Sequence, residues 1–189
     1  MAEIATLVAR CKRGDELAWE ALVRQYQSRV YSVALHYLRD AEEARDVAQD
    51  VFVRIYRKLE TFDSAAEEFL PWLLSVARNA CIDRLRRRRA RPLAHAVAVE
   101  DQPGLPDAGP TPEQTVLAES RRRLLYRALA RISDVNREII LLKEIQGLDL
   151  RQISEILAVP IGTVKSRSAR ARIELAKTVV ALDPSFGAS

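Results

Sequence analysis

Thr163, Lys165, Ser166, Arg167, Ala169, Arg170 and Arg172 crowd one short stretch of the chain that carries a helical apolar repeat. On a helical wheel Ile161, Val164, Ser168, Ala171 and Leu175 fall on one side, a stripe suited to packing. The opposite side holds Lys165, Ser166, Ala169, Arg170 and Ile173, and Arg167 and Arg172 stand at the two borders. Cations and a hydroxyl on an open face suit base edges, while border arginines reach phosphates on either side of a groove. The pattern fits a recognition helix in the DNA major groove. Immediately upstream, Asp149 and Gln152 have the spacing of a capping box, and Leu150, Ile153, Ile156 and Leu157 form an apolar face. With the break at Ala158-Val159-Pro160, the two segments read as a helix-turn-helix.

Two further constellations lie earlier. Asp46, Gln49 and Asp50 occur at i, i+3 and i+4, so they share one side of a helix, with Arg54 continuing the row. Such an acceptor-rich row suits a partner helix that presents arginines. Arg84, Arg86, Arg87, Arg88, Arg89 and Arg91 form a cationic cluster. The net charge of the 189 residues is only +4, so the distribution of charge, not its total, points to nucleic acid.

Several classes are disfavoured. His36 and His95 are the only histidines, and neither a glycine-rich phosphate loop nor a paired catalytic acid is present, so no enzyme and no cofactor are expected. Cys11 and Cys81 sit far apart in apolar helical contexts and imply no disulfide and no metal site. No apolar run is long enough to span a bilayer, and Met1-Ala2-Glu3-Ile4 lacks the order of a signal peptide, so a cytoplasmic protein without membrane insertion is expected.

The elements that must position these residues read as helices throughout. Ile4, Leu7, Val8 and Cys11 mark a first helix closed by Gly14. Asp15 starts a long second one, through Ala18, Leu22, Tyr26, Val30, Val33, Ala34 and Tyr37 to about Arg39. A third, from about Ala41 to Leu59, buries Ala44, Val47, Ala48, Val51, Phe52 and Ile55 and turns Glu43, Asp46, Asp50 and Arg57 outward. A fourth runs from about Phe69 to Arg89 with Trp72, Leu73, Val76, Ala80 and Leu85 inside. From Ala90 to Thr111 the prolines and glycines forbid a regular element, which predicts a flexible linker with a reach of about 70 Å at ~3.5 Å per residue. Pro112-Glu113 opens a helix to about Ile132, and Ser133-Asp134 caps another with Ile139, Ile140, Leu142 and Ile145 apolar. Gly147 ends it ahead of the helix-turn-helix. The expected fold is all-α, two small helical domains at 1–90 and 112–182 joined by a linker at 91–111.

Three motifs, in this order, carry a family resemblance: Asp46-Val47-Ala48-Gln49-Asp50-Val51-Phe52, then Trp72-Leu73-Leu74-Ser75-Val76-Ala77-Arg78-Asn79 with Asp83 and the arginine cluster, and Gly162-Thr163-Val164-Lys165-Ser166-Arg167. The chain resembles the extracytoplasmic-function sigma factors of bacterial RNA polymerase, within the sigma-70 family, over nearly its whole length. The resemblance implies a promoter-specific initiation factor whose first domain, sigma region 2, docks on the clamp helices of the polymerase core and opens the −10 element. Its second domain, sigma region 4, reads the −35 element as duplex and touches the polymerase flap. Asp46, Gln49, Asp50 and Arg54 would then bind core polymerase. Phe62, Asp63, Ser64 and Ala65 would belong to a loop that holds a flipped −10 base, with Arg78, Asn79, Arg84, Arg86 and Arg87 along the strand. Thr163, Lys165, Ser166, Arg167, Ala169, Arg170 and Arg172 would contact the −35 element. Promoter DNA, core polymerase and an anti-sigma factor are the implied partners.

Two positions depart from the family pattern. Pro71 stands before Trp72 where a small polar residue is common, and Ala169 offers only a methyl contact in the recognition helix. The alternative reading is a dimeric helix-turn-helix regulator that acts without polymerase. It leaves the acidic row at Asp46 and the arginine run after Asn79 without a purpose.

Overall fold

The computed structural model describes residues 2–63, 68–90 and 112–187, and every regular element among them is helical. The chain divides into two compact units, 1–102 and 103–189, so the division falls within the proline-rich segment.

The first unit contains α1 (Ala2–Lys12), α2 (Glu16–Leu38), α3 (Ala41–Lys58), a 3-10 turn (Leu59–Thr61) and α4 (Phe69–Ala90). Helix α2 packs against α1, α3 and α4, and α3 also meets α4. The expected helix boundaries follow from local chemistry. Gly14 takes φ +79° after α1, and Asp15 caps α2 by accepting the Ala18 amide at 3.0 Å. Asp40 does the same for α3, accepting the Glu43 amide at 2.9 Å. The core is built largely from the apolar faces read from the sequence, with Leu22, Val30, Val51, Ile55 and Leu73 almost wholly buried; α4 departs from its expected face, since Leu74, Ala77 and Cys81 lie inside while Trp72, Val76 and Leu85 are only partly buried.

The second unit contains α5 (Pro112–Arg131), α6 (Asp134–Ile140), a π turn (Leu141–Ile145), α7 (Leu150–Leu157), α8 (Ile161–Leu182) and a final 3-10 turn (Pro184–Gly187). Helix α8 is the hub and packs against α5, α6 and α7. Ser133 caps α6 as expected, accepting the Asn136 amide. The π turn was not expected. Gln146 N donates to Leu141 O, an i to i−5 bond of 2.9 Å that inserts one residue into the helical register. Leu141 and Leu142 are therefore buried together, Gln146 is turned inward, and Ile145, expected in the apolar face, is 45% exposed.

Candidate nucleic-acid interface and docking face

The helix-turn-helix forms as its residues require. Asp149 Oδ1 accepts the Gln152 amide and Gln152 Oε1 accepts the Asp149 amide, each at 2.8 Å, completing the capping box. Ala158 closes α7 in the left-handed region at φ 53°, a strained conformation for alanine that Ser154 supports by donating its hydroxyl to Val159 O at 2.6 Å. Pro160 then starts α8 with no side-chain cap.

On α8, Val164, Ser168 and Ala171 are buried, and Lys165, Ser166, Ala169 and Arg170 are exposed. Ile161 departs from the packing stripe and is 52% exposed, because it opens the helix a turn before the buried positions begin. The two border arginines differ from expectation. Arg172 Nε lies 2.9 Å from Glu144 Oε1, so part of its guanidinium is committed to the π turn. Arg167 is half-buried beside Glu138, whose carboxyl is pushed up to about 7 by burial while the charge of Arg167 opposes that rise. Lys143 Nζ donates to the buried Ser168 Oγ at 3.2 Å. Glu174, further along α8, accepts the Ser133 amide at 3.1 Å and the Asn136 side-chain amide. The packed flank of α8 is thus also held by polar contacts, and its opposite flank leaves Lys165, Ser166, Ala169 and Arg170 exposed.

In the first unit Asp46, Gln49 and Asp50 are exposed together on α3. Arg54 leaves this row, its Nη1 lying 3.7 Å from Asp83 Oδ2 on α4. Eight residues after Asp46 is two turns plus about 80°, enough to swing a side chain toward the neighbouring helix. Val53 and Tyr56 extend the row instead, 51% and 59% exposed. The Tyr56 ring stands edge-on to Trp19 of α2 at 5.1 Å. Their spacing from Asp50 and Gln49 marks them in the sequence, but as apolar residues beside the buried Phe52 and Ile55 they read as core.

The arginine cluster also divides. Glu43, expected to face outward, lies half-buried between Arg84 (3.5 Å) and Arg88 (3.6 Å), so these two cations brace α3 against α4. The second distance is an ionic contact longer than a hydrogen bond, and Glu43 Oε2 accepts none. Asn79, Arg86 and Arg87 are exposed on α4, with Asn79 and Arg86 two turns apart on one side. Arg78 is half-buried, and desolvation lowers its pKa from the usual arginine value. Phe62 is only 3% exposed and packs its ring 4.7 Å from Trp72 and 5.6 Å from Phe69. Its side chain is a core anchor, not a surface for a base. Asp63 is exposed, and Ser64 and Ala65 lie outside the described residues.

The Sigma-70 region 2 family model matches residues 22–91, and the Sigma-70 region 4 model matches residues 122–175. RNA polymerase sigma-H factor of Pseudomonas aeruginosa is 33% identical over 181 residues, 92% of this chain and 92% of its own. The extracytoplasmic-function sigma factor SigW of Bacillus subtilis is 31% identical over 90% of this chain and 93% of its own length. The chain belongs to the extracytoplasmic-function sigma factors. Sigma-E factor of Escherichia coli K12 is 33% identical over 88% of each. Among solved structures, CnrH in complex with the cytosolic domain of CnrY shares the fold at TM-score 0.63 and 24% identity, over 93% of this chain and 96% of that one. RpoE in complex with the anti-sigma factor NepR from Bartonella quintana does so at TM-score 0.66 and 22% identity, over 87% and 97%.

As a sigma factor the protein works in transcription initiation, with bacterial RNA polymerase and promoter DNA as partners, and no catalytic family is indicated. Among the described residues no group of His, Cys, Asp and Glu is arranged to hold a metal, and no helix is long and apolar enough to cross a membrane. Cys11 and Cys81 are buried thiols, and burial pushes the Cys81 thiol up to about 12, which suppresses the reactive thiolate.

Proposed function

We propose that this sigma factor divides promoter recognition between its units, the second reading the −35 element as duplex and the first holding the −10 element as melted strand. The observation that carries this reading is the exposed face of α8. Lys165, Ser166, Ala169 and Arg170 stand out of a helix-turn-helix whose other flank is buried. Arg170 and Lys165 suit guanine edges, Ser166 either base, and Ala169 a thymine methyl. The uncapped first turn of α8, where Thr163 lies, directs amide dipoles toward a phosphate. Arg167 contributes from its half-buried place, and Arg172 reaches backbone only with the nitrogens that Glu144 leaves available.

In the first unit, Asp63 and the loop after it take the unpaired base, Asn79 supplies an amide to base or backbone, and Arg78, Arg86 and Arg87 follow the phosphates. Arg84 serves chiefly to hold α4 on α3. Core polymerase docks on the face of Asp46, Gln49 and Asp50, with Val53 and Tyr56 as its apolar centre. Arg54 acts there only indirectly, through Asp83. A face that is both acidic and apolar also suits an anti-sigma factor competing with polymerase. The setting is the bacterial cytoplasm.

Reversing the charge of Asp46 and Asp50 together tests the docking face. Affinity for core polymerase is expected to fall at least tenfold, the effect of about 1.4 kcal/mol, with the helical spectrum unchanged. Unchanged affinity removes the docking assignment.

A further inference from the structure

Helix α1 precedes the part of the chain that matches the region 2 family model, and one of its side chains reaches the base of the −10 loop. Lys12, the last residue of α1, points its ammonium at the end of the 3-10 turn. Nζ lies 2.6 Å from Phe62 O and 3.5 Å from Glu60 O, across 50 and 48 residues of sequence. The Phe62 carbonyl belongs to the peptide that joins Phe62 to Asp63, so the bond grips the first link of the loop. The 3-10 turn has its own closing bond, Phe62 N to Leu59 O at 3.1 Å, and it ends there.

Lys12 is itself held in place. Arg10 Nε donates to Asp15 Oδ2 at 2.8 Å, and the amides of Arg13, Gly14 and Asp15 bond back to Arg10 and Cys11 carbonyls. The corner between α1 and α2 is therefore closed by both backbone and side chain, and Val8 and Cys11 bury α1 beside it. Rings secure both stems of the loop: Phe62 and Phe69 meet at 5.6 Å, Trp72 touches both, and Tyr26 of α2 backs Phe69 at 5.2 Å. These rings fix side chains. Among the described contacts at the loop's entry, Lys12 fixes the backbone, and a charged donor does so more strongly than a neutral one.

We propose that Lys12 is a positioning residue for −10 recognition, whose ammonium holds the Phe62–Asp63 peptide and so fixes where Asp63 stands to meet the unpaired base. The inference rests on the proposed capture of the −10 strand by the first unit. A preformed site avoids the ordering cost at the moment of binding, and small misplacements of a recognition group carry large losses.

The test uses the full chain with core polymerase, on the strongest promoter recovered from a genomic fragment library and on variants with each −10 position changed. Lys12→Met keeps the aliphatic stem and removes the donor; Lys12→Arg restores one. Lys12→Met is expected to slow promoter opening about tenfold and to narrow the differences among −10 variants. Its melting temperature and core affinity should stay at wild-type values, and Lys12→Arg should recover most of the loss. Asn79→Ala serves as the reference for strand capture. Should Asn79→Ala change −10 preference while Lys12→Met does not, the positioning role is overturned and strand capture stands. Should neither change it, strand capture fails and the positioning role with it. A Lys12→Met protein that melts early and loses core affinity would make Lys12 a structural residue only, which also overturns the proposal.

Discussion

The two units of this sigma factor hold themselves together by different chemistry. The first unit gathers Tyr26, Phe62, Phe69 and Trp72 into one group of ring contacts. Among the described residues the second unit buries no aromatic side chain, since Tyr126 and Phe186 are both exposed. An aliphatic core, with Ile139, Ile153 and Val164 fully buried, and directional polar hooks hold its helices instead. Arg137 donates to the carbonyls of Leu129, Ala130 and Ile132 and pairs with Asp134, locking the end of α5 to α6. Glu174, Lys143 and Glu144 fix α8 against α6 and the π turn. Rings of few rotamers suit a platform that must keep loop stems still, whereas hydrogen bonds and ion pairs set the angle of an exposed helix such as α8. The difference has a cost for the second unit, because one of its hooks, Glu174, has a carboxyl pKa shifted by its hydrogen bonds.

Truncating the ring cluster should break the comparison most sharply. Phe69→Ala is expected to destabilise the first unit by about 3–5 kcal/mol, seen as lost amide-exchange protection in α4 with α8 unaffected. Equal loss in α8 would mean that the units do not stand independently. A smaller effect belongs to the reading face. Arg170→Ala should weaken binding by ~1–3 kcal/mol at one base pair of the −35 element, measured across single-base variants. A uniform loss over all variants would make Arg170 a phosphate contact.

A third effect concerns pH. Burial raises the Glu138 carboxyl from 4.5 to about 7, so the folded second unit keeps a proton that the unfolded chain releases. Its contribution to stability is present below about 4.5 and declines as pH rises to about 7, by up to about 1.4 kcal/mol per pH unit, then levels off. Glu174 works in the opposite sense. Hydrogen bonds from Asn136 and Ser133 lower its carboxyl pKa, so its contribution is lost as pH falls below the ordinary glutamate range. Glu138→Gln should therefore flatten the decline between pH 4.5 and 7 and leave the acid limb intact, read by thermal melts across pH. A variant whose profile overlays the wild type would remove Glu138 as its source.

Helix positions were legible because their signals are local. Asp15, Asp40, Ser133 and the Asp149–Gln152 pair each cap the helix they precede, and Gly14 and Gly147 take positive φ at breaks. The helix-turn-helix was legible for the same reason. What the sequence concealed depends on contacts between elements. Arg54, Arg84 and Arg172 look like free cations in a linear reading, and each meets an acid on another element. The π turn shifts the register by one residue, which no apolar repeat announces, and Ile145 leaves the core as a result. A linear reading places Phe62 in the base-holding loop because nothing local tells of Phe69 and Trp72 beside it, and Lys12 gives no sign of a carbonyl partner 50 residues away.

Transcription with purified core polymerase on a genomic fragment library tests the division of labour most directly. The expected result is RNA that starts at defined sites, with −35 substitutions weakening recruitment on duplex templates and −10 substitutions losing most of their effect on opening when that region is already mismatched. Tight, specific binding of the chain alone as a dimer to duplex DNA, with no RNA made at any site, would contradict the account.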